Sequence, residues 1–117
     1  MRIVKYPEFV KLPAGTVFCK FEPLLFTTGI CVKGESYNDG ISYNYTDFTS
    51  VETPDQIRQD DAFWNMVDKG SSYPLEIDFD RDGKDVSDSE DSLFVIYEKD
   101  DVQKVIDVLS QNIEAKW

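Results

Sequence analysis

The side chains with the clearest chemical potential are carboxylates set two apart in DFDRDGKDVSDSED, Asp78–Asp91. Asp78, Asp80, Asp82 and Gly83 reproduce the front half of the calcium loop D-x-[DN]-x-[DN]-G, with hard oxygen ligands at alternate positions and a glycine for the sharp turn. The second half departs. The bidentate glutamate belongs at residue 89, which is Ser89, with Glu90 one place late. Asp85 stands where an aliphatic residue would seat the loop. A Ca2+-dependent binding module would therefore use Asp78, Asp80, Asp82 and, as a late ligand, Glu90. The same Asp, Gly and Ser content also suits a solvated connection between strands, with Arg81 and Lys84 offsetting part of the repulsion.

A third use is recognition of a positive surface. Carboxylates on one strand face recur about every 6.7 Å. Glu76, Asp78 and Asp80 form such a row, which Asp82, Asp85, Asp88, Glu90 and Asp91 continue. A row of this kind competes with nucleic acid for a basic groove and gains from the same release of counterions.

The remaining residue types exclude much chemistry. The chain has no histidine, which removes Ser-His-Asp and Cys-His catalysis and imidazole-ligated metals. Cys19 and Cys31 cannot complete a zinc site by themselves, and in a reducing compartment they read as two buried free thiols. No carboxylate pair is marked as a glycosidase-type acid and base. The chain is read as non-enzymatic, with no cofactor. Tyr37, Tyr43, Tyr45 and Phe48, beside Lys20 and Lys33, offer stacking surfaces for a small nucleotide, although sheet and core packing is the commoner use of such residues. Trp64 and the terminal Trp117 are open to either packing or partner contact.

Charge narrows the partners. Residues 1–34 carry five basic and two acidic side chains, whereas residues 35–117 carry seven and 21, a net of +3 against −14. Direct binding to a phosphate backbone is disfavoured, and a protein with a basic, nucleic-acid-binding surface is favoured. No run of 18 apolar residues suits a membrane span. The opening MRIVKYPEFVK lacks a signal-peptide core, so a cytoplasmic location is expected.

These side chains must be positioned by a small set of elements. At 117 residues a single domain, 1–117, is expected. Arg2–Lys5 reads as a strand and Pro7–Leu12 as a short helix between prolines. Thr16–Glu22 alternates, and LLFTTGICVKGESY gives one or two strands broken around Gly29. Asn38–Gly40 is a hairpin turn before ISYNYTDF. Thr53, Pro54 and Gln56 predict a helix over Pro54–Lys69, closed by Gly70, with a bend or break in its middle. PLEIDFD predicts a strand with Leu75, Ile77 and Phe79 inward. Ser92–Glu98 is apolar on both faces, as a central strand is. Val102, Val105, Ile106, Leu109 and Ile113 then recur at helical spacing behind a capping box at Asp100 and Gln103. The result is an α+β fold: an antiparallel sheet of about five or six strands with two main helices packed on it, plus a short N-terminal helix.

KLPAGTVFCKFEP (Lys11–Pro23), VKGES (Val32–Ser36), RDG (Arg81–Gly83) and SLFVIYEKDDV (Ser92–Val102) resemble segments of a group of small acidic proteins from tailed phages and prophages. The group has no assigned activity, so the resemblance transfers no functional residue. It implies a setting inside a bacterial host cell, where small accessory phage proteins bind and inhibit defence machinery of the CRISPR or restriction type.

Overall fold

The computed structural model describes residues 1–54, 56–83 and 88–114. Along the chain come β1 (Arg2–Lys5), α1 (Tyr6–Phe9), β2 (Val17–Glu22), β3 (Leu25–Phe26), β4 (Cys31–Tyr37) and β5 (Ser42–Thr46). Then follow β6 (Ser50–Val51), α2 (Gln59–Lys69), β7 (Leu75–Glu76), β8 (Arg81–Asp82), β9 (Leu93–Ile96) and α3 (Lys99–Gln111). Seven strands form an antiparallel sheet in the order β1-β9-β2-β4-β5-β8, with β3 also paired to β2; β6 and β7 make a separate ribbon. This is an α+β fold with a multi-stranded antiparallel sheet and a few helices, including the short N-terminal one.

SLFVIYE supplies the strand that holds the sheet together. β9 pairs with β1 on one side and β2 on the other, so Phe94 and Ile96 share a face with Val4 and Phe18. Helix α1 covers that face. Pro7 presets the backbone at its first turn, and residues 11 and 12 continue only through i→i−3 bonds to Glu8 and Phe9 before Pro13. The α-helix is therefore shorter than Pro7–Leu12. Its Phe9 stacks on Phe94 with centroids 4.0 Å apart and meets Phe18 and Tyr43 edge-on at 4.7 and 4.9 Å. These aromatic rings, with Val4, Tyr6, Cys31 and Ile96, are the core.

The hairpin signal at Asn38–Gly40 is realised between β4 and β5. Ile41 N donates to Asn38 O, and the central residues Asp39 and Gly40 take φ of 54° and 81°, positive as in a primed turn. Cys19 and Cys31 are free and buried. Cys31 lies opposite Phe18 in the ladder, so its face is the core face, and Cys19 points to the other. Burial pushes the Cys31 thiol up to about 11, which keeps it un-ionised at neutral pH.

The longer helices differ from expectation in start and in cover. α2 begins at Gln59, not Pro54, because Gln56 sits at φ 73° and only a turn bond joins Ile57 N to Pro54 O. The capping box expected from Thr53 does not form, and Arg58 is the N-cap. Gly70, at φ 66°, closes the helix as expected. α2 packs on the β6–β7 ribbon through buried Ala62 and through Gln59, whose side-chain amide pairs with the backbone N–H and C=O of Val51. α3 is capped two residues earlier than predicted, by Glu98 and Asp101 rather than Asp100 and Gln103. Asp101 also receives the Met1 ammonium at 2.8 Å, tying the start of α3 to β1. Yet α3 buries none of its residues: Val102 and Val105 are half-buried, while Leu109 is 67% exposed.

PLEIDFD departs most. Only Leu75–Glu76 is strand, paired with the two residues of β6. Leu75, Ile77 and Phe79 are exposed, and Glu76 and Asp78 are half-buried. With so short a partner strand, no core face exists for the alternation to fill. The accessible surface reaches 8423 Å2, against about 6,500 Å2 for a compact monomer of this mass. The uncovered apolar residues of α2, α3 and residues 75–79 contribute to it. Among the described residues no helix is long and apolar enough to cross a membrane.

Candidate functional site: the acidic segment and the cleft beside it

Sequence pattern placed Asp78 and Asp80 on the outward face of a strand and the remainder of Asp78–Asp91 in the loop that follows it. Part of it instead joins the main sheet. Arg81 and Asp82 form β8, paired with Tyr45 and Asn44 of β5, so the acidic segment is the sheet's edge. Arg81 turns back over it, with its guanidinium 3.7 Å from Asp47 and bonded to the Ser50 hydroxyl. Gly83 follows. Its N–H donates to Tyr43 O at 2.8 Å, and its Cα lies so close to the Tyr43 ring that a Cβ would overlap ring carbons. The glycine serves packing, with φ outside the left-handed region.

The carboxylates are not one outward row. Asp80, Asp82, Glu90 and Asp91 are exposed, and Glu76 and Asp78 are half-buried. Asp78 Oδ1 accepts from Asp80 N at 2.9 Å, an Asx turn. Asp82 accepts from the Tyr37 hydroxyl; burial first, and then this bond, raise that phenol's pKa. Asp91 is 3.5 Å from Lys5. Asp88 turns inward: its side chain is 7% exposed and pairs with Lys20 Nζ at 3.3 Å. Lys20 also donates to Gly83 O at 3.1 Å. Asp85 and Trp117 lie outside the described residues, as does Lys84. Among the described residues no three acidic or cysteine side chains converge as a metal-binding group. The expected late ligand, Glu90, stands beside Tyr6 and Ile41 in a different depression.

The lysine–aspartate pair was hidden in sequence, although one signal was present. Lys20 follows Phe18 by two residues in an alternating strand, which puts it on the core face. A cation there needs acceptors, and Asp88 and Gly83 O are among them. Lys33 is the more extreme case: 1% exposed, with Nζ donating to Gly34 O at 3.1 Å. Burial lowers its pKa from 10.5.

The residues considered for nucleotide stacking are dispersed. Lys33 is buried, Phe48 is exposed, and Tyr37 is bonded to Asp82. Tyr43, Tyr45 and Lys20 do meet, in a cleft of about 590 Å3 between β2, β5 and the segment before β9. Glu22, Asp47, Asp88 and Asp91 line it too, so one lysine faces four carboxylates, a poor setting for phosphate. Tyr43 is fully buried, and its hydroxyl has no hydrogen-bond partner among the described residues. Burial first, then the Asp88 carboxylate, raise its pKa and hold the phenol protonated. Trp64, on α2, is exposed. No protein-family model, curated protein or solved structure matches this chain.

Proposed function

We propose that this is a non-enzymatic phage or prophage accessory protein. It binds and inhibits a host nucleic-acid-handling defence complex, of the CRISPR or restriction type, through its acidic face. One observation carries the reading. Among the described residues around β8, Lys20 is drawn onto Asp88 and Gly83 and Arg81 onto Asp47 and Ser50, whereas Asp80, Asp82, Glu90 and Asp91 are left at the surface. The negative field of residues 35–117 is thus concentrated where a basic groove could dock, and steering by such a field speeds association.

The partner in this reading is a host protein with a basic surface, and the contact displaces nucleic acid by competing for the same cations. The test is expression of the protein in a host carrying a defined restriction or CRISPR system, with phage plating as the readout. Plating rises with the parent protein and returns to the restricted level with Asp80→Lys/Asp82→Lys/Glu90→Lys. Equal plating with parent and triple variant removes the acidic face from the mechanism.

A further inference from the structure

We propose that two copies of this chain associate through α3, the helices packing antiparallel along one uncharged ridge. The inference stands apart from the acidic-face reading and shares no residue with it. Val102, Ile106, Leu109 and Ile113 follow one another at intervals of four, three and four residues, the spacing of a coiled-coil seam. None of them is buried, and exposure rises along the ridge from 48% at Ile106 to 67% at Leu109 and 71% at Ile113. The helix start is tied down by the Glu98–Asp101 capping box and by Met1 on Asp101. The far half carries its apolar side chains in solvent.

Charge, symmetry and area select a second copy as the cover. The positions flanking the seam are Gln103, Val105, Ser110 and Asn112, so seam and margins are uncharged on a chain of net charge −11. At about 100° per residue, Asp100, Lys104 and Asp107 fall on the opposite side of the helix. Gln103 turns its amide away as well, onto Asp107 at 2.9 Å. A basic partner, which the acidic face selects, finds nothing to pair with on this ridge. An identical helix matches it. The spacing reads the same in both directions, so a twofold axis sets Val102 against Ile113 of the second copy and Ile106 against its Leu109, a self-complementary contact. The charges of both helices then point away from the seam. The chain exposes about 1,900 Å2 more than a compact monomer of its mass. A standard interface removes about 800 Å2 from each partner, so a dimer has the surface it needs.

The test is sedimentation equilibrium of the full chain across the micromolar range. The parent is expected to pass from monomer to dimer, and to associate more tightly as salt rises, because screening relieves repulsion between two acidic chains. Leu109→Glu buries an unpaired charge in the seam and weakens association by about 100-fold or more. Lys104→Ser, on the opposite side, changes it by no more than about twofold. Unfolding of dilute protein, where the monomer prevails, shows that the variants fold. Ile106→Lys and Leu109→Glu are each monomeric alone, and their equimolar mixture regains the dimer mass, since the antiparallel register places the two charges together. A parent that stays monomeric, a dimer that survives Leu109→Glu, or association that weakens with salt overturns the proposal. So does a dimer regained only by mixing Ile106→Lys with Ile106→Glu, which would mean parallel helices.

Discussion

Gly83 lies directly against the ring of Tyr43, with no room for a Cβ between them. The contact joins the acidic edge strand to the aromatic core and is closed by the bond from Gly83 N to Tyr43 O, 2.8 Å. It redefines the glycine of RDG. Gly83→Ala is expected to destabilise the fold by about 1–3 kcal/mol, the cost of overpacking a filled site. Denaturant unfolding of Gly83→Ala, with and without Tyr43→Leu, checks this: the smaller side chain should absorb part of the loss. An unchanged midpoint in Gly83→Ala would refute the contact.

Calcium is expected to leave the melting temperature where it is. Asp78 is occupied by the Asp80 N–H and Asp82 by Tyr37, and Gly83 is committed to Tyr43. Melting in millimolar Ca2+ and then in excess chelator measures it. A reversible rise with calcium would reinstate the metal reading, since a ligand that favours the native state raises apparent stability.

Lys33 gives a pH signature. Its native pKa lies below the unfolded 10.5, so between those two values the unfolded chain binds more protons, and stability rises with pH. Below the native pKa the full penalty of a buried ammonium is present. Lys33→Met should therefore stabilise the protein by on the order of 1 kcal/mol at neutral pH. Its advantage should shrink as pH climbs to about 10.5. Urea unfolding of parent and variant at several pH values gives the difference directly; a gain that does not change with pH would contradict it.

Asp88→Asn removes the buried Asp88–Lys20 ion pair and is expected to cost about 2 kcal/mol. The same change should ease the titration of Tyr6. Burial chiefly, and Asp88 next, push that phenol up to about 12, so its ultraviolet pH titration should move partway toward 10. An unmoved titration would mean that Asp88 does not face the core.

The last prediction separates helix from core. Leu109→Ser changes a side chain that is 67% exposed and should shift stability by no more than about 0.5 kcal/mol. Phe94→Ala empties the centre of the aromatic cluster and should cost about 3–5 kcal/mol. Comparable losses from both would place α3 against the sheet.

Sequence pattern was most informative where local chemistry and tertiary role coincide. The paired positive φ at Asp39 and Gly40, the doubly apolar SLFVIYE and the glycine stop at Gly70 all follow from residue type. Periodicity also found α3, yet an apolar stripe reports which side chains share a face and not what covers it. PLEIDFD misled for the same reason: alternation predicts an inward face, and two residues of β6 are too little sheet to provide one. Gln56 at positive φ broke a helix start whose composition was ideal. At the site, acidic character was plain in the composition, whereas the inward turn of Asp88 depends on Lys20, 68 residues away. The cleft needs β2, β5 and the segment before β9 together, a juxtaposition that no local pattern encodes.

The pairing of β1 with β9 has a kinetic consequence. Residues 2–5 find their ladder partners only in residues 93–96, and β2 needs the same strand. Loop closure over such distances must precede any reward from the contacts, and chains built on non-local pairing fold slowly. On the ribosome, the first two strands and α1 emerge long before Phe94, the ring on which Phe9 stacks. Until β9 is synthesised they have no central strand, and their apolar residues are open to chaperones.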